Sequence, residues 1–253
     1  MADTLYQVTR GIVLRETETK EADKILTVLS ADLGKIAVIA RGARRKGCRF
    51  TACAQTLVWS EMTLYHRGDW YYLHEGSTLR LFDGLRRDLE KLALGFYFAE
   101  LTEAVTQEEV PAPELLSLLL NGLYALESLD RPAALIKAAF ELRLMSLAGY
   151  EPLADACACC GLAEPEEPRL DVRQGIVHCR RCGVKGEGLS MPLCRNSLAA
   201  LRHAVYGDPK RLYAFTLGPE ALARLSDAAE AFVLTQMERG FRTLDYYKSV
   251  QMR

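Results

Sequence analysis

The sequence predicts an α+β fold: a five-stranded barrel at the N-terminus, then a mainly helical domain that carries a metal-binding insert. Three observations predict it. Short runs rich in β-branched and apolar residues, separated by turn residues, fill the first 80 positions. Apolar residues then recur at three-to-four spacing. Two Cys-x2-Cys pairs interrupt the helical part. The domains are therefore set at residues 1–80 and 81–253, with the insert at about 155–188.

The strand candidates are residues 6–16, 24–30, 34–40, 56–67 and 70–78. "ADLG" (31–34) suits a tight hairpin, and Gly68-Asp69 supplies a second turn. Five short strands without a covering partner expose edges, and closure removes them. An OB-fold barrel is the specific expectation, although periodicity alone leaves another small barrel open. Leu85, Leu89, Leu92, Phe96 and Ala99 share a helical face within 81–105. Further helices are expected at 113–129, at 133–150 after Pro132 and before Gly149, and as one or two segments within 218–250.

The insert reads Cys157-x2-Cys160, eighteen residues, then Cys179-x2-Cys182, and each pair is followed by a glycine. Each pair can present two thiolates from one tight turn. Four soft ligands in tetrahedral array favour one Zn²⁺ per chain, and four protein ligands leave no open position, so such an ion is structural. An iron–sulfur cluster uses the same ligands. Cys159 is placed outside the metal shell, Cys194 is expected as a buried helical cysteine, and Cys48 and Cys53 as ordinary thiols.

The chain has 32 basic and 33 acidic residues, so net charge does not select a partner. Charge is uneven, however. Residues 33–60 carry Lys35, Arg41, Arg44, Arg45, Lys46 and Arg49 and no acid. A concentrated positive field can bind a polyanion whatever the total charge. Four of these cations lie in "RGARRKG" (41–47), directly after a strand. Lys35, Arg41, Arg44, Arg45 and Lys46 are candidate phosphate contacts, and Trp59, Tyr65, Trp70, Tyr71 and Tyr72 are candidate stacking residues on the same barrel. Successive residues Trp70, Tyr71 and Tyr72 cannot all face a core, so at least one faces outward. His66 and His74 lie on adjacent strands and could meet across the sheet.

Catalytic motifs are missing. There is no phosphate loop, no G-x-G-x-x-G, no H-E-x-x-H, no G-x-S-x-G and no paired acidic centre for a two-metal nuclease. No helix-turn-helix is evident. A non-enzymatic protein is expected. There is no stretch of 18 apolar residues and no signal-peptide pattern, so a cytoplasmic location without membrane contact is expected.

The run "GIVLRETETKEADKILTVLSADLGKIAVIARGARRKG" (11–47), the two CxxCG motifs and the ending "RTLDYYKSV" (242–250) together resemble the bacterial recombination protein O (RecO) family of DNA repair proteins. The resemblance covers nearly the whole chain. Gly11, Asp23, Lys24, Gly34, Arg41, Gly42, Arg44, Arg45 and Lys46 match the family pattern; Gly47 stands where a small polar residue is usual. It implies an N-terminal OB-fold and a mediator of the RecF pathway. Such a mediator binds single- and double-stranded DNA, anneals complementary strands, and helps load RecA together with RecR. It also implies contact with the acidic C-terminal tail of single-strand-binding protein, and association with the nucleoid. Arg86, Arg87 and Lys91, on the helix after the barrel, are expected to extend the basic field. The competing expectation is a zinc-stabilised protein-interaction adaptor without direct DNA contact.

Overall fold

The computed structural model describes residues 6–19, 22–183 and 189–252. The end of the expected insert, residues 184–188, lies outside that range. Five strands close into a barrel: β1 (Tyr6–Thr19), β2 (Asp23–Ser30), β3 (Gly34–Ala40), β4 (Trp59–Arg67) and β5 (Trp70–Arg80). Their order is β1-β2-β3-β5-β4, and β4 pairs back onto β1. All pairs are antiparallel except β3 with β5, which run parallel through Val38↔Tyr71 and Ile39↔Tyr72. That non-sequential closure is the OB arrangement, and it settles the choice that periodicity left open.

β1 is long enough to pair with β4 through its first half and with β2 through its second. Gly11 belongs to both ladders. A Cβ there would lie 2.5 Å from Val28 Cγ1 and 3.1 Å from the Leu29 carbonyl oxygen, so the strands meet at this point only because the side chain is missing.

The barrel core follows from the two-residue period of its strands. Val13, Leu26, Val28, Ile36, Val38, Ala40, Met62, Leu64 and Leu73 point inward and are buried. Ala43, Phe50, Cys53 and Ala54 join the same core from the connection between β3 and β4. At about 25 cal/mol per Å² of apolar surface, each large side chain in this set contributes roughly 1.5–3 kcal/mol.

The chain divides into two compact units, Met1–Ser128 with Phe241–Arg253, and Leu129–Gly240. In the first, the expected helix over 81–105 is broken. A short α1 (Asp83–Arg86) ends at Arg87, and Asp88 caps α2 (Leu89–Val105), its carboxylate accepting from the Lys91 N–H at 3.1 Å. Capping by Asp88 competes with continued helix at that point. α3 (Pro113–Ser128) follows. The last helix of the chain, numbered α7 below (Arg242–Gln251), packs on α2. The Tyr97 and Phe241 rings meet edge to face at 5.9 Å, and the Gln251 amide donates to Glu90 at 2.9 Å.

The second unit is built on α4 (Ala133–Leu147), buried on nearly every side. Gly149, with φ +90°, lies beyond its end. A small antiparallel sheet, order β7-β6-β8, follows, formed by β6 (Arg169–Asp171), β7 (Ile176–His178) and β8 (Ser190–Pro192). Then come α5 (Arg195–Tyr206) and α6 (Pro219–Gln236). No helix among the described residues is long and apolar enough to cross a membrane.

Candidate nucleic-acid interface and metal centre

Residues 41–57 form a succession of turns that carries the chain from β3 to β4. Local hydrogen bonds hold it: Arg45 N–H to the Gly42 carbonyl (2.9 Å) and Cys48 N–H to the Arg45 carbonyl (3.1 Å). It is also tied to β2 and its approach, through Gly42 N–H to Asp23 Oδ1 (2.7 Å) and Arg44 N–H to the Ala22 carbonyl (3.0 Å). Gly42 and Gly47 have positive φ, +68° and +79°. The apolar residues of this segment are committed to the barrel core, so its cations stand outside. Arg41, Arg44, Arg45, Lys46 and Arg49 are all exposed. Arg44 pairs with Glu18 at 3.1 Å, and Arg49 pairs with Glu75 at 3.2 Å and donates to the His74 carbonyl at 2.8 Å. Arg45 and Lys46 have no acidic partner among the described residues. Burial pushes the Cys53 thiol up to about 11, as befits an inert core cysteine.

The other expected DNA contacts lie at different distances from this loop. Arg86 donates to the Thr56 carbonyl at 3.0 Å, which places it at the loop's far end. Arg87 is exposed beside it, and Lys91 is half-buried in the first turn of α2. Lys35 is the second residue of β3, about 20 Å along the strand from Arg41 at the usual rise. Its ammonium donates to the Glu103 carbonyl at 3.1 Å. It lines a cleft of about 510 Å³ with Glu103, Glu108, Glu109 and Asp69, in which Arg15 is held by Glu103 at 2.8 Å. The structure therefore gathers Arg41, Arg44, Arg45, Lys46 and Arg86 near one segment and sets Lys35 among acids.

Aromatic residues cover the outside of the barrel beside the loop. Tyr6, Tyr65 and Tyr72 are direct cross-strand neighbours. The Tyr65 and Tyr72 rings stack at 5.1 Å with 14° between planes, and Tyr6 meets Tyr65 edge-on at 6.0 Å. The Arg41 guanidinium lies 4.6 Å from the Tyr72 centroid. Of the three successive aromatics, Trp70 is exposed, Tyr71 packs on the barrel core and Tyr72 faces outward. The two histidines do not pair. His66 packs on Tyr71 at 4.9 Å, and His74, displaced by a β-bulge opposite Thr63/Leu64, packs on Tyr6 at 4.8 Å. The sequence did not single out Tyr6; only the register with Tyr65 brings it to the site.

The four expected metal ligands do come together. The Sγ atoms of Cys157, Cys160, Cys179 and Cys182 lie within 4.8 Å of one another. Tetrahedral thiolates around one zinc stand about 3.8 Å apart, so the set fits such an ion with little adjustment. Gly161 and Gly183, at φ +72° and +40°, close the two turns through N–H bonds to the Cys157 and Cys179 carbonyls (2.8 and 3.3 Å). Burial pushes the Cys157 thiol up, but N–H groups of Cys160, Cys179 and Cys159 outweigh it and bring it down to about 6. The Cys179 N–H donates to Cys157 Sγ at 3.3 Å. Cys159 is exposed and outside the cluster. His178 is turned to Ser190 Oγ (3.1 Å) and the Cys179 carbonyl (3.2 Å). Cys194 is not inside a helix: it is the N-cap of α5, in a capping box with Ser197.

Comparison with known proteins finds one family over nearly the whole chain. The family models described as recombination protein O N terminal and recombination protein O C terminal match residues 1–82 and 86–245. The DNA repair protein RecO of Acetivibrio thermocellus is 31% identical over 97% of each chain. That of Symbiobacterium thermophilum is 31% identical over 98% of each. That of an Anaeromyxobacter species is 36% identical over 88% of each.

Proposed function

Because the chain belongs to the recombination protein O family, we propose that it is a mediator of DNA repair and recombination that binds single- and double-stranded DNA and promotes annealing. One observation carries this: the apolar residues of the turn after β3 plug the barrel, so Arg41, Arg44, Arg45 and Lys46 are held on its outside. Cations fixed in this way displace counterions and reduce repulsion between two phosphodiester chains. Annealing then needs no nucleophile, general base or nucleotide, and the protein works without catalysis. Arg86, Arg87 and Lys91 extend the field past Thr56, while Lys35 stands apart from it among carboxylates.

On the family reading, RecR is the partner with which the protein assists RecA loading. The acidic tail of single-strand-binding protein is a second contact, and the work is done in the cytoplasm at the nucleoid. Cys157, Cys160, Cys179 and Cys182 would hold one Zn²⁺, which supplies folding energy and no open coordination position.

Fluorescence anisotropy with a single-stranded oligonucleotide between about 50 and 200 mM salt tests the loop. Arg45→Ala and Lys46→Ala should each weaken binding and lower the salt slope by about 1. The double variant should also anneal complementary strands more slowly. An unchanged slope and affinity in the double variant would overturn the assignment. Loop-dependent binding of an acidic peptide, with none of DNA, would establish the adaptor instead.

A further inference from the structure

We propose that Tyr6, Tyr65, Tyr72 and Arg41 form a column on the outside of the barrel on which the bases of single-stranded DNA stack. This rests on the DNA-binding function proposed above and assigns its base-contacting site. The register generates the column. Tyr6 opposes Tyr65, Tyr65 opposes Tyr72, and Tyr72 opposes Ile39. Val13, Leu64, Leu73 and Val38 fill the inside of the same strands, so the tyrosines belong to the outer face. Ile39 opposes Ile25, which continues an apolar row onto β2.

The ring geometry is that of an unfinished stack. Tyr65 and Tyr72 lie nearly parallel, and the Arg41 guanidinium sits over Tyr72. A guanidinium is planar, and its second face continues the stack while its charge remains available to a phosphate. At the other end Tyr6 is 53% exposed and leans on Tyr65 and His74, so its ring is open to a ligand. None of the three tyrosine hydroxyls has a protein partner among the described residues, so hydrogen bonding does not account for tyrosine at these positions.

Charge identifies the occupant. The column ends at the first cation of the basic loop, and Arg49 fastens that loop to β5 at His74 and Glu75. A polyanion with planar groups at every repeat matches both features. An acidic peptide matches only the charge, and duplex DNA has already stacked its bases on one another. Exposed aromatics beside a cationic track are the general means of holding single strands without sequence preference.

Binding of the full-length protein to an oligonucleotide and to an abasic chain of equal length separates stacking from charge. Wild type should bind the abasic chain about 5- to 100-fold more weakly. Tyr6→Ala/Tyr65→Ala/Tyr72→Ala should lose about the same factor on the normal strand and become nearly indifferent to base removal, with its salt slope unchanged. Tyr72→Phe should bind as wild type, and Arg41→Lys should lose affinity at constant slope. Duplex binding should not respond to the tyrosine variants. Equal wild-type affinity for normal and abasic strands would sink the column even if no variant folded. It would leave DNA binding by the loop intact, because the Arg45 and Lys46 variants report on that separately. Equal losses on an acidic peptide in the tyrosine variants would make the column a protein-docking surface and also overturn the proposal.

Discussion

Gly34 and Gly47 are both glycines of turns with positive φ, +66° and +79°, yet they are not equivalent. A side chain at Gly34 would run into the backbone of Val110, whereas nothing lies within 4 Å of a Cβ at Gly47. Gly34→Ala should therefore cost about 2–5 kcal/mol, from backbone strain plus overpacking, and Gly47→Ala only about 1–2 kcal/mol. Chemical denaturation of the two variants measures the difference. Sequence spacing marks both as turn residues, but the approach of Val110 is a tertiary fact. The same holds for the cysteines. The Cys-x2-Cys-Gly spacing announces the four ligands, because each turn is local. Nothing local distinguishes Cys194 as a cap. Its Ser197 partner is three residues on, a signal that becomes readable only once the start of α5 is known.

At the scale of elements, α4 carries the most consequential buried charge. The Lys137 ammonium lies 2.8 Å from Glu141 and 3.0 Å from Glu230, with Lys137 and Glu141 almost completely buried. Burial pulls the Lys137 pKa down, and the two carboxylates more than reverse that, leaving it raised. Removal of a buried cation that faces one buried and one partly buried carboxylate costs about 3–5 kcal/mol, so Lys137→Ala should unfold at markedly lower denaturant. Because the folded pKa of Lys137 is raised, its own contribution is complete at neutral pH and on the alkaline side is lost as pH climbs through the raised value. An alkaline limb as steep in Lys137→Ala as in wild type would contradict it. The small sheet β7-β6-β8 and its cysteine turns form the second such element. On the zinc reading proposed above, Cys160→Ser should reduce bound zinc toward zero by elemental analysis. It should also lower the melting temperature by several degrees, as should a chelator. The strands of the barrel were legible from β-branched and apolar runs set between turn residues, whereas β6, β7 and β8 were not. Three residues are too few to display a period, and they are strands only because they pair.

For the molecule as a whole, a net charge near −1 means that any attraction to DNA is local. At physiological salt, charges more than about 8 Å away are largely screened. Neutralising the cleft at the other end of β3, with Glu108→Gln/Glu109→Gln, should accordingly leave single-strand affinity within about twofold, measured by the same anisotropy titration. A large gain would mean that Lys35 and its acidic neighbours belong to the interface. Sequence by itself determined the strands of the barrel, the helices expected at 113–129 and 133–150 and found at Pro113–Ser128 and Ala133–Leu147, the basic loop and the cysteine tetrad. These rest on period, turn chemistry and spacing, all of which act within a few residues. Tertiary structure alone decided the parallel β3–β5 closure, the place of α7 against α2, the separation of Lys35 from the loop, and the column that joins Tyr6, Tyr65, Tyr72 and Arg41. The physical reason is common to all four: each depends on register and packing between segments far apart in the chain, which no local pattern encodes.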